Sequence, residues 1–272
     1  MNDMQEGMKI LHIWNTAGVA SIIAKYMDKL FGTVSSVVMR KRYDKFGLTT
    51  YGELWDYPAS VFKLRCLIRA RKFDIIHIHS CDELVPSIRR RYPEKRIVLH
   101  YHGTDVRGRW REKEKFWRKA DLILVSTPDL LAGAPEQAVY LPNPVDLDLF
   151  KPIRRPSQIS KHKKLALYFI KPKSGRDLDW AKEVAKKYDL SLVVHERNIP
   201  YTKLPEFLNN FEYYIDRHYI KSLSKTALEA LACGVKVIDW REKVLNHFPE
   251  EHHPKNTVER LYEMYRHLME SG

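Results

Sequence analysis

Short apolar runs alternate with amphipathic stretches along the whole chain. In the first half the runs are KILHIW (9–14), SSVVMR (35–40), FDIIHIHS (73–80), KRIVLHYH (95–102), DLILVST (121–127) and AVYLPN (138–143). Helix-like sequence separates them, for example GVASIIAKYMDKL (18–30) and REKEKFWRKA (111–120). This order predicts parallel strands joined by crossover helices. LPNPVDLDLFKPIRRPSQISKHKK (141–164), with four prolines and a basic cluster, reads as a surface linker. A second alternation follows: LALYFI (165–170), DLDWAKEVAKKY (177–188), LSLVVHE (190–196), LPEFLNN (204–210), FEYYID (211–216) and VKVIDW (235–240). The tail 256–271 is an amphipathic helix with Val258, Leu261, Met264, Tyr265 and Leu268 on one face. The expected architecture is α/β: two doubly wound parallel-sheet domains facing a central cleft, the second one reduced in size. The expected bounds are 8–150, 160–254 and a C-terminal helix over 255–272 that crosses back to the first domain. Ligands in such folds lie beyond the carboxyl ends of the strands, which places the expected site in that cleft.

Composition changes the picture in two ways. A hydrophobic content of 44% with 30% charged residues fits a soluble globular chain. The net charge of +13 points to an anionic partner: a phosphorylated ligand, an acidic membrane or nucleic acid. Three cysteines without a CxxC pair argue against a disulfide framework and for a reducing, cytoplasmic compartment. MNDMQEGMKILHIW lacks the long apolar run of a signal peptide, and about 18 consecutive apolar residues, the length of a spanning helix, occur nowhere. GxGxxG, GxxxxGK[ST] and GxSxG are all missing, which speaks against dinucleotide dehydrogenases, P-loop NTPases and α/β-hydrolases.

The motifs carry a resemblance. TAGVAS, FDIIHIHS, HYHGTD, ADLILVSTPDL, YLPNPVDLDLF and LEALACGVKVI, in that order across most of the chain, resemble a GT-B-fold retaining glycosyltransferase of the family 4 kind. The resemblance implies transfer of a sugar from a UDP- or GDP-linked donor with retention of configuration. It implies no metal and no cofactor beyond that co-substrate. The acceptor it implies is unknown, a glycan or a lipid-linked molecule met from the cytoplasmic face.

Each candidate residue has two readings. By the resemblance, Glu229 accepts hydrogen bonds from the ribose diol, a charge-assisted contact. By local pattern, Thr226 and Glu229 form a capping box, or Glu229 pairs with Lys225 one turn back. The family's other glutamate, separated from this one by seven residues, is replaced by Lys221, and a cation cannot accept sugar hydroxyls. Lys221 is therefore read as facing phosphate or an unusual, acidic sugar. His102 in HYHGTD matches the family histidine at the reacting carbon. Asp105 would bond sugar hydroxyls, or else serve an Asx turn. Gly18, between the first strand and a helix, lets backbone amides approach an anion, or marks a tight turn. Lys171, Lys173 and Arg176 around Gly175 would grip the diphosphate, against a reading as solvated loop charges.

His77, His79, His100 and His102 alternate onto one strand face. They suggest a metal site, but their spacing is not a familiar zinc pattern, and the expectation is that none binds metal. The two DLD stretches are likewise expected to bind none. VRGRWREKEKFWRKAD (106–121) and SVFKLRCLIRARK (60–72) interleave cations with apolar residues, as a peripheral membrane face does. The alternative is an ordinary crossover helix whose aromatics are core. No specific nucleic-acid motif appears. Two rivals to a transferase are a non-catalytic nucleotide- or phosphate-binding protein on the same scaffold, motivated by Lys221, and a basic membrane- or RNA-associated protein.

Overall fold

A computed structural model describes residues 7–153, 164–170 and 176–271, and of Arg176 the backbone alone. The chain divides into two compact units, 1–144 with 254–272, and 145–253.

The first unit is built on seven strands: β1 Lys9–Ile13, β2 Val34–Arg40, β3 Glu53–Trp55, β4 Ile75–His79, β5 Arg96–Tyr101, β6 Leu122–Val125 and β7 Ala138–Tyr140. They pair in the order β3-β2-β1-β4-β5-β6-β7, and every pairing is parallel. The helices are α1 Val19–Phe31, α2 Ala59–Ala70, α3 Val85–Arg91 and α4 Trp110–Trp117. Parallel strands covered on both faces bury both side-chain sets, which explains why the runs are near-continuously apolar. One face carries Leu11, Ile13, Ile76, Ile78, Ile97 and Leu99 against Phe62, Cys66, Ile88 and Trp110. The other carries Ile10, Ile75, Val98 and Leu124 against α1.

The second unit holds β8 Leu165–Ile170, α5 Arg176–Lys187, β9 Ser191–Glu196, α6 Leu204–Leu208, β10 Tyr213–Ile215, α7 Lys225–Ala232, β11 Lys236–Ile238 and β12 Val244–Leu245. Its sheet runs β12-β11-β10-β8-β9, with β12 antiparallel to β11 and the rest parallel. The core is Ala166, Tyr168, Ala181, Val184 and Ile215 with their neighbours.

The last helix, α8 Pro254–Glu270, belongs to the first unit. Val258, Leu261 and Tyr265 are fully buried in the α1 face of the large sheet, with Met264 and Leu268 packed partly against it. Tyr262 stacks on Phe31 of α1 at 4.1 Å.

Two short edge strands, β3 and β12, were not expected from the sequence. Each has two or three residues, too few for a periodicity to show.

Candidate functional site

In the second unit the chemistry gathers around α7. Ser224 is its N-cap, with Oγ accepting from the Ala227 amide at 3.0 Å. The Ser224 amide donates to the buried Asp216 carboxylate at 2.8 Å, fixing where the helix starts. Thr226 and Glu229 thus lie inside α7, and the capping-box reading of Glu229 is corrected: its backbone donors are already helical.

Glu229 is fully buried. Its Oε1 accepts from the Lys225 ammonium at 3.0 Å and from the Tyr201 hydroxyl at 3.1 Å. The expected ion pair with Lys225 is present, and it is deeply buried. Oε2 has no hydrogen-bond partner among the described residues, and the Arg197 guanidinium stands 3.6 Å from it. Burial pulls the Lys225 ammonium below its ordinary value, with Glu229 opposing. Burial, and then the adjacent carboxylate, push the Tyr201 phenol well up. The site therefore holds one committed carboxylate oxygen and one open one, within reach of the partly exposed Arg197. Arg197 and Tyr201 were not singled out from sequence. They follow β9 with no local pattern of their own, and only the fold brings them to α7.

The other expected residues of this unit are less revealing. Lys221 is exposed on the β10–α7 loop. Lys171 and Lys173 lie outside the described residues, and Arg176 opens α5, whose first turn carries Asp177 and Asp179.

In the first unit, five histidines rather than four share one sheet face at the strand ends. Parallel register sets His12 beside His77 and His79 beside His100. His12 was not foreseen, because β1 and β4 are neighbours only after the sheet assembles. A chain of ring contacts links His12 Nδ1 to His79 Nε2 at 3.2 Å and His79 Nδ1 to His102 Nε2 at 3.0 Å. His77 Nδ1 meets the Tyr265 hydroxyl of α8 at 2.6 Å. Burial drives His12 down to about 3 and His102 to about 4, with Asp105 opposing at His102. Burial also holds His77, His79 and His100 well below the usual imidazole range. At neutral pH the rings are uncharged, each with one N–H and one acceptor nitrogen.

Asp105 spends its carboxylate on the backbone. Oδ2 accepts from the His102 amide at 2.9 Å, and Oδ1 from the Gly103 amide at 2.6 Å. That is the turn-forming arrangement, and it fixes the loop that carries His102. Gly18 caps α1 with φ +77, where an added Cβ would meet the Leu48 carbonyl oxygen at 3.3 Å. The Val19 amide bonds Thr16 and the Ser21 amide bonds Asn15 Oδ1, so two first-turn donors are already used.

The basic aromatic segment 106–121 turns its large rings inward. Trp110 is 5% exposed, donates Nε1–H to the Leu130 carbonyl at 2.8 Å and lies edge-on to Tyr101. Trp117 donates to the Trp110 carbonyl at 3.0 Å. Trp110 is core and Trp117 is half-buried against it, so the reading of α4 as a membrane anchor is corrected for these two rings.

Among known proteins, residues 38–149 match the model of Glycosyltransferase Family 4. No curated protein sequence matches the chain. Solved structures do. HepE of Anabaena, in complex with UDP-glucose, is 15% identical with a TM-score of 0.55, covering 95% of this chain and 91% of HepE. Sucrose-phosphate synthase from Thermosynechococcus elongatus is 13% identical with a TM-score of 0.53, over 94% of this chain and 90% of the synthase. A UDP-N-acetylglucosamine 2-epimerase is 11% identical with a TM-score of 0.55, over 97% of each chain. These likenesses show the fold, two Rossmann-like domains of GT-B type.

Proposed function

We propose that this chain, a family 4-like glycosyltransferase of GT-B fold, moves a sugar from a UDP- or GDP-linked donor to a glycan or lipid-linked acceptor with retention of configuration. The observation that carries the reading is Glu229: a fully buried carboxylate whose Oε2 lacks a hydrogen-bond partner among the described residues. A ribose hydroxyl supplies the donor that oxygen lacks. HepE, of the same fold, is described in complex with UDP-glucose, which supports a nucleotide-sugar donor. Lys171 and Lys173, which precede α5 in the sequence, and Arg176, its first residue, are assigned to the departing diphosphate, and Lys221 to phosphate or an acidic sugar. Cationic side chains stabilise the charge that develops on the leaving group, and the transfer so drawn uses no metal. His102 faces the reacting carbon as a neutral ring, on a loop that Asp105 holds. Gly18 supplies a close backbone approach. We place the protein in the cytoplasm.

An epimerase shares the fold, so chemistry has to decide. The purified chain is incubated with UDP-glucose, UDP-N-acetylglucosamine and GDP-mannose, and both free nucleotide and sugar configuration are followed by NMR. Slow release of UDP or GDP, with the remaining donor unchanged in sugar configuration, is expected. Accumulation of an epimerised nucleotide sugar contradicts the transferase reading. Binding with no turnover under any acceptor favours the non-catalytic alternative.

A specific observation favours peripheral contact with an anionic membrane, through α2. Val61, Leu64 and Ile68 share one face of that helix and are 38%, 56% and 62% exposed. Arg65 on the helix and Arg71 and Lys72 just after it are all exposed, and α2 contains no acid. No helix among the described residues is long and apolar enough to cross a membrane. Aliphatic side chains bordered by cations suit a bilayer interface. The double variant Leu64→Asp, Ile68→Asp is expected to lose co-sedimentation with phosphatidylglycerol vesicles while keeping the wild-type urea midpoint. Equal sedimentation of both proteins sinks the contact.

A further inference from the structure

The histidine face of the large sheet contains more unmet bonding capacity than a packed core tolerates. Both ring nitrogens of His100, Nε2 of His12 and Nε2 of His77 are buried without a hydrogen-bond partner among the described residues. Orphaned buried polar atoms are rare and call for an occupant. His79, His100 and His102 each place one ring nitrogen within 4.8 Å of the other two. The His79 and His100 ring centroids are 5.4 Å apart, and those of His100 and His102 are 4.2 Å apart.

We propose that His79, His100 and His102 form a binding site for a borderline divalent cation, zinc above all. Zinc holds imidazole nitrogen at about 2.0–2.1 Å, so ligand nitrogens around a tetrahedral ion stand about 3.3 Å apart. His79 Nδ1 and His102 Nε2, at 3.0 Å, already have nearly that separation. His100 has no hydrogen-bond partner at either nitrogen among the described residues, so ligation through it breaks no existing bond there. The rings are uncharged at neutral pH, as ligation requires.

The surroundings complete the site. A histidine ligating through one nitrogen characteristically donates its other ring N–H to a neighbour that fixes its orientation. His79, ligating through Nδ1, keeps Nε2–H for His12 Nδ1 at 3.2 Å. Asp105, which His102 already feels as a favourable negative charge, offsets part of the added charge of the cation. His102 is only partly buried, which gives the ion a way in and leaves the fourth position for water. The same 3.0 Å and 3.2 Å contacts also suit a chain of hydrogen-bonded neutral rings, and experiment separates the two.

This site is independent of the transfer proposed above, which draws on no metal. An ion there would occupy His102 and slow that transfer, a corollary that rests on the role assigned to His102, whereas binding does not.

The test uses the whole chain, Co2+ as a visible probe and Zn2+ as competitor. One equivalent of Co2+ is expected to give the intense visible bands of a tetrahedral site, abolished by one equivalent of Zn2+. X-ray absorption of the zinc-loaded wild type is expected to count three imidazoles, a readout that needs no variant. His12→Gln keeps all three ligands and removes only the orienting ring, so it is expected to weaken Co2+ by about 10- to 100-fold. His267→Gln, on the exposed face of α8, is expected to change nothing. Absence of tetrahedral bands in the wild type, fewer than three imidazoles at zinc, or binding that His12→Gln leaves intact and His267→Gln removes, overturns the site.

Discussion

Glu229→Ala will lower the unfolding free energy by about 3–5 kcal/mol, the cost of breaking a buried ion pair from one side. The Lys225 side chain is 7% exposed and its ammonium points at Glu229 Oε1, 3.0 Å away. Without the carboxylate, a cation and the Tyr201 hydroxyl are both stranded in the interior. The deficit has a pH signature. Burial already depresses the Lys225 ammonium, so in the variant the folded chain sheds that proton more readily than the unfolded one. The unfolded state then binds more protons, stability rises with pH, and the deficit shrinks as alkaline pH is approached. Removing both charges, in Lys225→Met with Glu229→Gln, is expected to recover most of the loss. Urea unfolding of the wild type and the two variants checks this, and a single-variant loss under about 1 kcal/mol would mean that the pair is solvated rather than buried.

Trp110→Ala carries the second large effect, again about 3–5 kcal/mol, for truncating a packed aromatic side chain. The loss includes the stranded Leu130 carbonyl and the edge contact with Tyr101. It is also expected to leave vesicle binding unchanged, once compared at a temperature where the variant is folded. This opposes the α2 double variant, which should lose vesicles and keep stability. If Trp110→Ala instead released the protein from vesicles with an unchanged urea midpoint, α4 and not α2 would be the membrane face.

Much of the fold is visible in the sequence because a parallel sheet covered on both faces writes its strands as apolar runs. LALYFI became β8 residue for residue. α8 announced its buried face by Val258, Leu261 and Tyr265 at helical spacing. What failed to show was set by tertiary pairing. Two hydroxyl residues, Ser224 and Thr226, compete for the start of α7, and the choice is made by Asp216, eight residues upstream on the far side of a loop. His12 looks like one more strand residue until β4 lies alongside β1. Arg197 and Tyr201 have no periodic signature and meet Glu229 only because β9, α6 and α7 fold together. In 106–121 the alternation of cations and aromatics is the same for a membrane face and for a crossover helix, and only burial distinguishes them.

Titration calorimetry with UDP and GDP tests the central claim most directly, using wild-type protein and the Lys225→Met, Glu229→Gln chain. A hydrogen bond to a charged group is worth about 1.5–3 kcal/mol, so losing the carboxylate should weaken the preferred nucleoside diphosphate by about 10- to 100-fold. The double variant should keep a urea midpoint close to that of the wild type. Equal affinity of both for the nucleotide, or heat from neither nucleotide with the wild type, would contradict the assignment of Glu229 to the ribose and the donor site built on it.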